Sequence, residues 1–291
     1  MTGLVLVEGL PGSGKSTTAA DTAGWLGARG VAAEHWTEGR LDHPVDFEQV
    51  AVLSTEQVLA IAAESPETAS ALLSAAERHG DEWVVRHALH PSLPASVVDR
   101  LRGHDAYDGA VAHDVHSRVL TESWRRFGRT TPGSHPVQVW ECVLLQNPGC
   151  ALVARADQPA SVLAAHVAGL VDAVRSHDPV LVYLDAGDPL RVLETAAAER
   201  PREWVEAVVE YHTGQGLGRR MGLRGFEGYV DFMRHRRAME LDIVASLDLP
   251  TLVVGVDADH RGAGPARLEQ VRAFLAEHLQ LDDRPEPSRV A

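Results

Sequence analysis

The sequence predicts an α/β protein built on a parallel sheet flanked by helices, and three observations carry that expectation. A short continuous apolar run, Leu4-Val5-Leu6-Val7, precedes a glycine-rich stretch and then helix-compatible sequence from Ser16 to Leu26, the pattern of a strand buried on both faces that feeds a loop and a helix. Further short apolar runs occur at Val31 to Trp36, Val137 to Cys142, Val180 to Leu184 and Thr251 to Val256, the last three each close behind a proline. What separates them is mostly long helix-periodic sequence, as crossovers between parallel strands require.

In chain order, Gly27 and Gly30 end the first helix, and the second strand completes a βαβ unit. About a hundred residues then precede the third strand, too many for a plain connection. Helix-periodic stretches at Thr55 to Ala63, Glu67 to His79, Ala95 to Leu101 and His113 to Phe127, broken by Pro91, Pro94 and Gly103, predict a helical insert over 38–136. A second insert, Asp185 to Leu249, holds helical stretches at Leu190 to Glu199, Glu203 to Tyr211 and Phe226 to Leu247. The core is thus expected over 1–37 and 137–281, with 185–249 as its helical insert. The charged, proline-rich tail 282–291 is expected to be disordered.

Composition narrows the partners. With 41 acidic and 27 basic side chains the net charge is −14, which repels nucleic-acid backbones and anionic membranes. Cys142 and Cys150 are too few for a disulfide framework or a zinc site and read as reduced core thiols. No apolar run has the length of a membrane span, and the early strand at Gly3 to Val7 displaces a signal peptide. A cytoplasmic protein is expected.

The motif G-x-x-x-x-G-K-[ST] is met in full by Gly9, Gly14, Lys15 and Ser16, with a strand before it and a helix after. Glycines let backbone N–H groups turn inward around phosphates at a helix N-terminus, and the serine hydroxyl has the chemistry to coordinate Mg2+. Lys15 is the only lysine among the 27 basic residues. A compact ammonium follows β- and γ-phosphates in a way a planar guanidinium does not. Asn147 is likewise the only asparagine. Gln146-Asn147-Pro148-Gly149 suits a turn, and an amide used for recognition is the other reading.

On these residues the chain resembles the P-loop kinases of the nucleoside and nucleotide kinase superfamily, especially thymidylate-kinase-like members that share the loop Gly9-Leu10-Pro11-Gly12-Ser13-Gly14-Lys15-Ser16-Thr17. The resemblance covers the five-strand core. It implies a sheet in the order 2-3-1-4-5, an acceptor-binding insert after strand two, and an arginine-bearing lid between strands four and five. It also implies ATP as donor, Mg2+ as cofactor, and a small-molecule phosphoryl acceptor such as a nucleoside, nucleotide or antibiotic. The loop residues Gly9, Pro11, Gly12, Ser13, Gly14, Lys15, Ser16 and Thr17 would hold ATP, with Lys15 also catalytic. Ser16 and Glu141 would hold the metal. Glu141-Cys142 stands where the family usually shows Asp-Arg or Glu-Arg, which leaves the acceptor open.

Glu199-Arg200-Pro201-Arg202 resembles a lid entry, so Arg200 and Arg202 are expected near the transferred phosphoryl group, although a solvated helix end is the alternative. Arg219, Arg220 and Arg224, interleaved with Gly214, Gly216, Gly218, Gly222 and Gly225, are expected to clamp phosphate after closure or else to form a mobile surface loop. Just beyond the second strand of such kinases a carboxylate faces the γ-phosphate. Asp42 is the first choice here and Glu38 the alternative, while a cap on a helix beginning near Val45 would leave Asp42 structural. Glu38, Asp42, His43 and Asn147 are the candidate acceptor contacts. His113, His116 and His135 fall in the same insert without metal-ligand spacing. A nucleotide-dependent ATPase or switch is the competing reading, but Asn-Lys-x-Asp guanine specificity is impossible with one lysine.

Overall fold

The structure, a computed structural model, describes residues 3–130, 136–256, 264–279 and 281. His135 and the tail 282–291, expected to be disordered, lie outside the described residues. The chain forms two compact units, Met1–Glu38 with Thr130–Ala291, and Gly39–Arg129. The first unit resumes at Thr130, before the expected end of the insert at residue 136.

The first unit opens with β1 (Leu4–Gly9), α1 (Lys15–Ala28) and β2 (Ala33–Trp36). The second unit holds β3 (Ala51–Leu53), α2 (Thr55–Ala62), α3 (Pro66–Ala75), β4 (Ala76–His79), β5 (Glu82–Val85), α4 (Ala95–Arg102) and α5 (His113–Gly128). The chain returns to the first unit as β6 (Val137–Glu141), then α6 (Gln146–Gly149), which continues into a wider π-helical turn over Cys150–Arg155. There follow α7 (Ala160–Ala173), β7 (Pro179–Asp185), α8 (Leu190–Glu199), α9 (Arg202–Thr213), α10 (Gly216–Arg220), α11 (Gly225–Ser246), β8 (Thr251–Gly255) and α12 (Pro265–His278). Among the described residues no helix is long and apolar enough to cross a membrane.

A five-stranded sheet, ordered β2-β6-β1-β7-β8, organises the first unit. Every neighbouring pair is parallel. β1 is central and buried along its whole length, which is why its sequence runs apolar without alternation. Val5, Val7, Val139, Val182 and Leu184 pack with Leu26 of α1 and Val271 and Leu275 of α12 on one face. Alternation along the strand sends Glu8 to the opposite face from Val7.

The second unit is not built of helices alone. Its strands form an antiparallel sheet, β3-β5-β4, and Leu53 and Val85 share a core with Val58, Ile61, Leu72, Val97 and Leu101 from its helices. Three strands of three or four residues are too short to show a period. Sequence expected one helix over Glu67 to His79, but the chain turns extended at Ala76 to pair β4 with β5, so tertiary pairing overrides local propensity there. Elsewhere local signals decide, as at α2, where Ser54 and Gln57 close a capping box.

Candidate active site

The glycine loop joins β1 to α1. Gly14 is its last residue, with φ at 89°, a left-handed conformation that disfavours any side chain. It gives α1 no side-chain cap, so the first-turn N–H groups stay available to an anion. Lys15, buried at 7 % exposure, donates from Nζ to the carbonyls of Gly9 at 3.0 Å and Leu10 at 3.2 Å. Arg267 of α12 braces the loop from behind, its Nη1 donating to the Ser13 carbonyl at 3.2 Å.

Glu141, at the end of the neighbouring strand β6, accepts from Ser16 Oγ at 2.6 Å. Its other oxygen accepts from His35 Nε2 at 3.1 Å and from the Glu38 backbone N–H at 3.3 Å. Burial would raise this carboxyl, but the hydrogen bonds from His35 and Ser16, the adjacent imidazole and the Glu38 N–H outweigh it and hold Glu141 below its ordinary value. The Ser16 and Glu141 oxygens would suit a hard cation such as Mg2+, which keeps waters and substrate phosphates around one or two protein oxygens. Among the described residues no cluster of three His, Cys, Asp or Glu forms an all-protein cage.

Cys142 follows in a left-handed conformation, φ 70°, an unfavourable state for a non-glycine residue that turns the chain sharply beside the loop. It is a buried thiol, as expected, and its pKa is pushed up by that burial. Its Sγ donates to Glu38 Oε2 at 3.4 Å, and Gln146 Nε2 donates to Glu38 Oε1. Glu38 is therefore held by two side chains of the segment after β6.

A cavity of about 660 Å3 opens over this loop, and all its lining residues belong to the first unit. Its walls include Pro11, Gly12, Gly14, Lys15, Ser16, Thr17 and Glu38, with Gln146 and Cys150 one helical turn apart. The rest of the wall comes from α8, α9, the link between them and α11 through Glu199, Arg200, Trp204, Tyr211, His212 and Arg236. Cys150 is only part-buried and faces this space, unlike the core thiol expected. Asn147 is not among the lining residues; the Asn147-Pro148-Gly149 turn is a helical segment, in which Gln146 supplies the amide that reaches the cavity.

The expected arginines divide. Arg200 lines the cavity with its guanidinium 5.3 Å from the Trp204 ring centre. Arg202 does not; it pairs with Glu206 at 2.7 Å, 86 % exposed. Arg219, Arg220 and Arg224 lie outside the cavity. Arg220 grips Asp157 through two bonds of 2.6 and 2.9 Å, Arg219 binds the Gly214 carbonyl, and Arg219 and Arg224 line a separate surface hollow. Of the interleaved glycines, Gly218 and Gly216 answer a packing need, since a Cβ would lie 1.9 Å from the His212 carbonyl oxygen or 2.1 Å from that of Ala154, whereas Gly222 and Gly225 face open space with φ of 70° and 60°. α10 replaces the expected loop.

Asp42 and His43 belong to the second unit. Exposed Asp42 is held low by hydrogen bonds from Arg40 at 2.6 and 3.0 Å. No helix begins at Val45, so Asp42 caps none. Instead buried His43 accepts at Nδ1 from the Val45 and Asp46 N–H groups at 3.2 and 3.1 Å. Burial, then the charges of Arg86 and Arg40, push its pKa down to about 3, so the ring is neutral and its contact is structural. His116 is also buried.

Sequence reading missed Glu8, Gln146, His212, Arg236 and Arg267. Glu8 carried a signal, a carboxylate ending an otherwise apolar strand. Its Oε1 and Oε2 accept the Leu144 and Gln146 N–H groups at 2.7 and 3.2 Å, which anchors the segment bearing Gln146. Arg236 and Glu240, four residues apart on a helix, read like any solvated pair, and only packing buries them. No protein-family model matches the sequence, and no curated protein resembles it closely enough to count as a relative.

Proposed function

We propose that this protein is an ATP- and Mg2+-dependent phosphotransferase that acts on a hydroxyl or phosphate of a small molecule. The observation that carries the reading is the 2.6 Å contact between Ser16 Oγ and Glu141 Oε2 beside Lys15, at the mouth of a cavity large enough for a small ligand. Counted within the sheet alone, the strand order runs second-third-first-fourth-fifth, the order the resemblance to P-loop kinases implies, and this supports the same reading.

In this proposal the β- and γ-phosphates lie on the α1 N-terminus and draw Lys15 Nζ from the Gly9 and Leu10 carbonyls. Ser16 and Glu141 hold Mg2+, which supplies charge neutralisation at the phosphates. Arg200 serves the charge that spreads over the transferred group. The acceptor hydroxyl oxygen bonds to the γ-phosphorus, the bond from that phosphorus to ADP breaks, and Glu38 takes the hydroxyl proton. Glu38 receives the role first given to Asp42 because it lines the cavity and is oriented by Gln146 and Cys142, whereas Asp42 is committed to Arg40.

The test is to incubate the protein with ATP, Mg2+ and a library of metabolites and antibiotics, and to search by mass spectrometry for a phosphorylated product. A product that depends on Lys15 supports the proposal. ATP consumption with no such product replaces it with an ATPase or switch.

A further inference from the structure

Beneath the cavity lies a set of charges that phosphoryl transfer leaves unused. Arg236 sits in the middle of α11 with 3 % of its surface exposed. Its Nε donates to Glu240 Oε1 at 2.6 Å, and Glu240 Oε2 accepts the Tyr183 hydroxyl at 2.9 Å. That pairing spends the Nε edge only. Nη2 is enclosed and has no hydrogen-bond partner among the described residues, although Arg236 lines the cavity. A guanidinium N–H stripped of water and left unpaired is costly, so a ligand group that meets it is strongly favoured.

The same cavity has a second unfilled position. Gln146 Nε2 donates to the Glu38 carboxylate, which fixes the amide orientation, because the reverse would set two acceptor oxygens together. Gln146 Oε1 is then enclosed with no partner among the described residues. His212, also in the lining, donates from Nδ1 to the Val208 carbonyl at 2.8 Å, so its unpartnered Nε2 is an acceptor as well. The cavity thus offers one buried cationic donor and two neutral acceptors. A guanidinium fork is matched best by an oxyanion, and an amide oxygen by a hydroxyl.

Resting on the kinase reading of this cavity, we infer that the phosphoryl acceptor is a small hydroxylated anion, its carboxylate or phosphate seated on Arg236 and a hydroxyl donating to Gln146 Oε1. The proton of that hydroxyl is committed to Gln146, so the hydroxyl that gives its proton to Glu38, which is bonded to the same amide, is a neighbouring one on the same molecule.

Three matched probes test this without turnover: glycerol, glycerate and glycerol 3-phosphate, titrated by ligand-observed NMR with Mg·ADP bound. One of the anions is expected to bind about tenfold or more tightly than glycerol, and the better of the two separates carboxylate from phosphate. Arg236→Gln should abolish that preference and leave Mg·ADP affinity unchanged. Because this change leaves Glu240 buried without its cation, the charge-balanced pair Arg236→Met with Glu240→Gln, which still accepts the Tyr183 hydroxyl, supplies the same readout in a better-matched core. Equal affinity for all three probes in the unaltered protein overturns the inference. So does an anion preference that survives in the paired variant, which would assign the anion to Lys15 or Arg200. Anion preference with no phosphorylated product from the library keeps the anion site on Arg236 and removes both the kinase reading and the acceptor role; transfer to neutral acceptors without anion preference keeps the kinase reading and removes the anion site.

Discussion

Glu8 should make this protein less stable as pH rises towards neutrality. It lies in the central strand with no exposed surface, and its pKa is pushed up to about 7, first by burial and then by the negative charge of Glu240. The Leu144 and Leu145 N–H groups and Lys15 oppose that rise without cancelling it. An unfolded glutamate titrates near 4.5. The folded pKa is the higher one, so between about 4.5 and 7 the folded chain keeps a proton that the unfolded chain has released. The group's stabilising contribution is therefore complete below about pH 4.5, falls through that window and is spent above about 7. An interval of about 2.5 units, at about 1.4 kcal/mol each, is on the order of 3 kcal/mol. Glu8→Gln does not titrate and can still accept one backbone N–H. Urea denaturation of both proteins from pH 5 to 8 isolates the effect, because Glu141 and Asp185, which are held low and contribute slopes of opposite sign, are common to both chains. The unaltered protein should lose roughly 2 to 3 kcal/mol relative to Glu8→Gln across that range. A difference between the two that stays flat with pH, or moves the other way, refutes the reasoning.

Other outcomes follow from the same geometry. Lys15→Ala, and even Lys15→Arg, should cut phosphoryl transfer by about 3 kcal/mol, two orders of magnitude or more, with an unchanged circular dichroism spectrum; near-normal turnover in Lys15→Arg would contradict the role given to its compact ammonium. Glu38→Gln should abolish transfer while nucleotide affinity stays within a factor of about two, whereas Asp42→Asn should retain activity, since its loss removes only an exposed pair with Arg40. Steady-state kinetics with the identified acceptor decides between them, and the opposite pattern would return the base to Asp42. Gly218→Ala drives a Cβ against the His212 carbonyl and should destabilise the first unit by roughly 1 to 3 kcal/mol in a melting experiment. The amides of Arg219 and Met221, bonded to the Gln215 and Leu217 carbonyls, should exchange at the same rate with and without Mg·ATP; slowing on ligand binding would restore the closing clamp.

What the sequence by itself determined is what short-range physics controls. The strand–loop–helix at β1 and α1 was legible because a fully buried strand is uniformly apolar and because Gly14 and Lys15 belong to a spaced pattern. α8 was legible over Leu190–Glu199, and α4 and α5 over nearly their whole lengths, since 3.6-residue periodicity survives within one element. The tertiary structure alone decided which polar residues share a cavity. Glu38, Gln146, Arg200 and Arg236 come from four separate segments, and nothing local distinguishes Arg236 from the exposed Arg234, which pairs with Asp188. Gly216 and Gly218 read as flexibility in the sequence and supply clearance in the structure, because a close approach between backbones leaves the same residue type as a mobile loop. The sheet β3-β5-β4 escaped for a related reason. Pairing energy between short strands is collected only after the chain has closed on itself, so its cause lies in residues distant along the sequence.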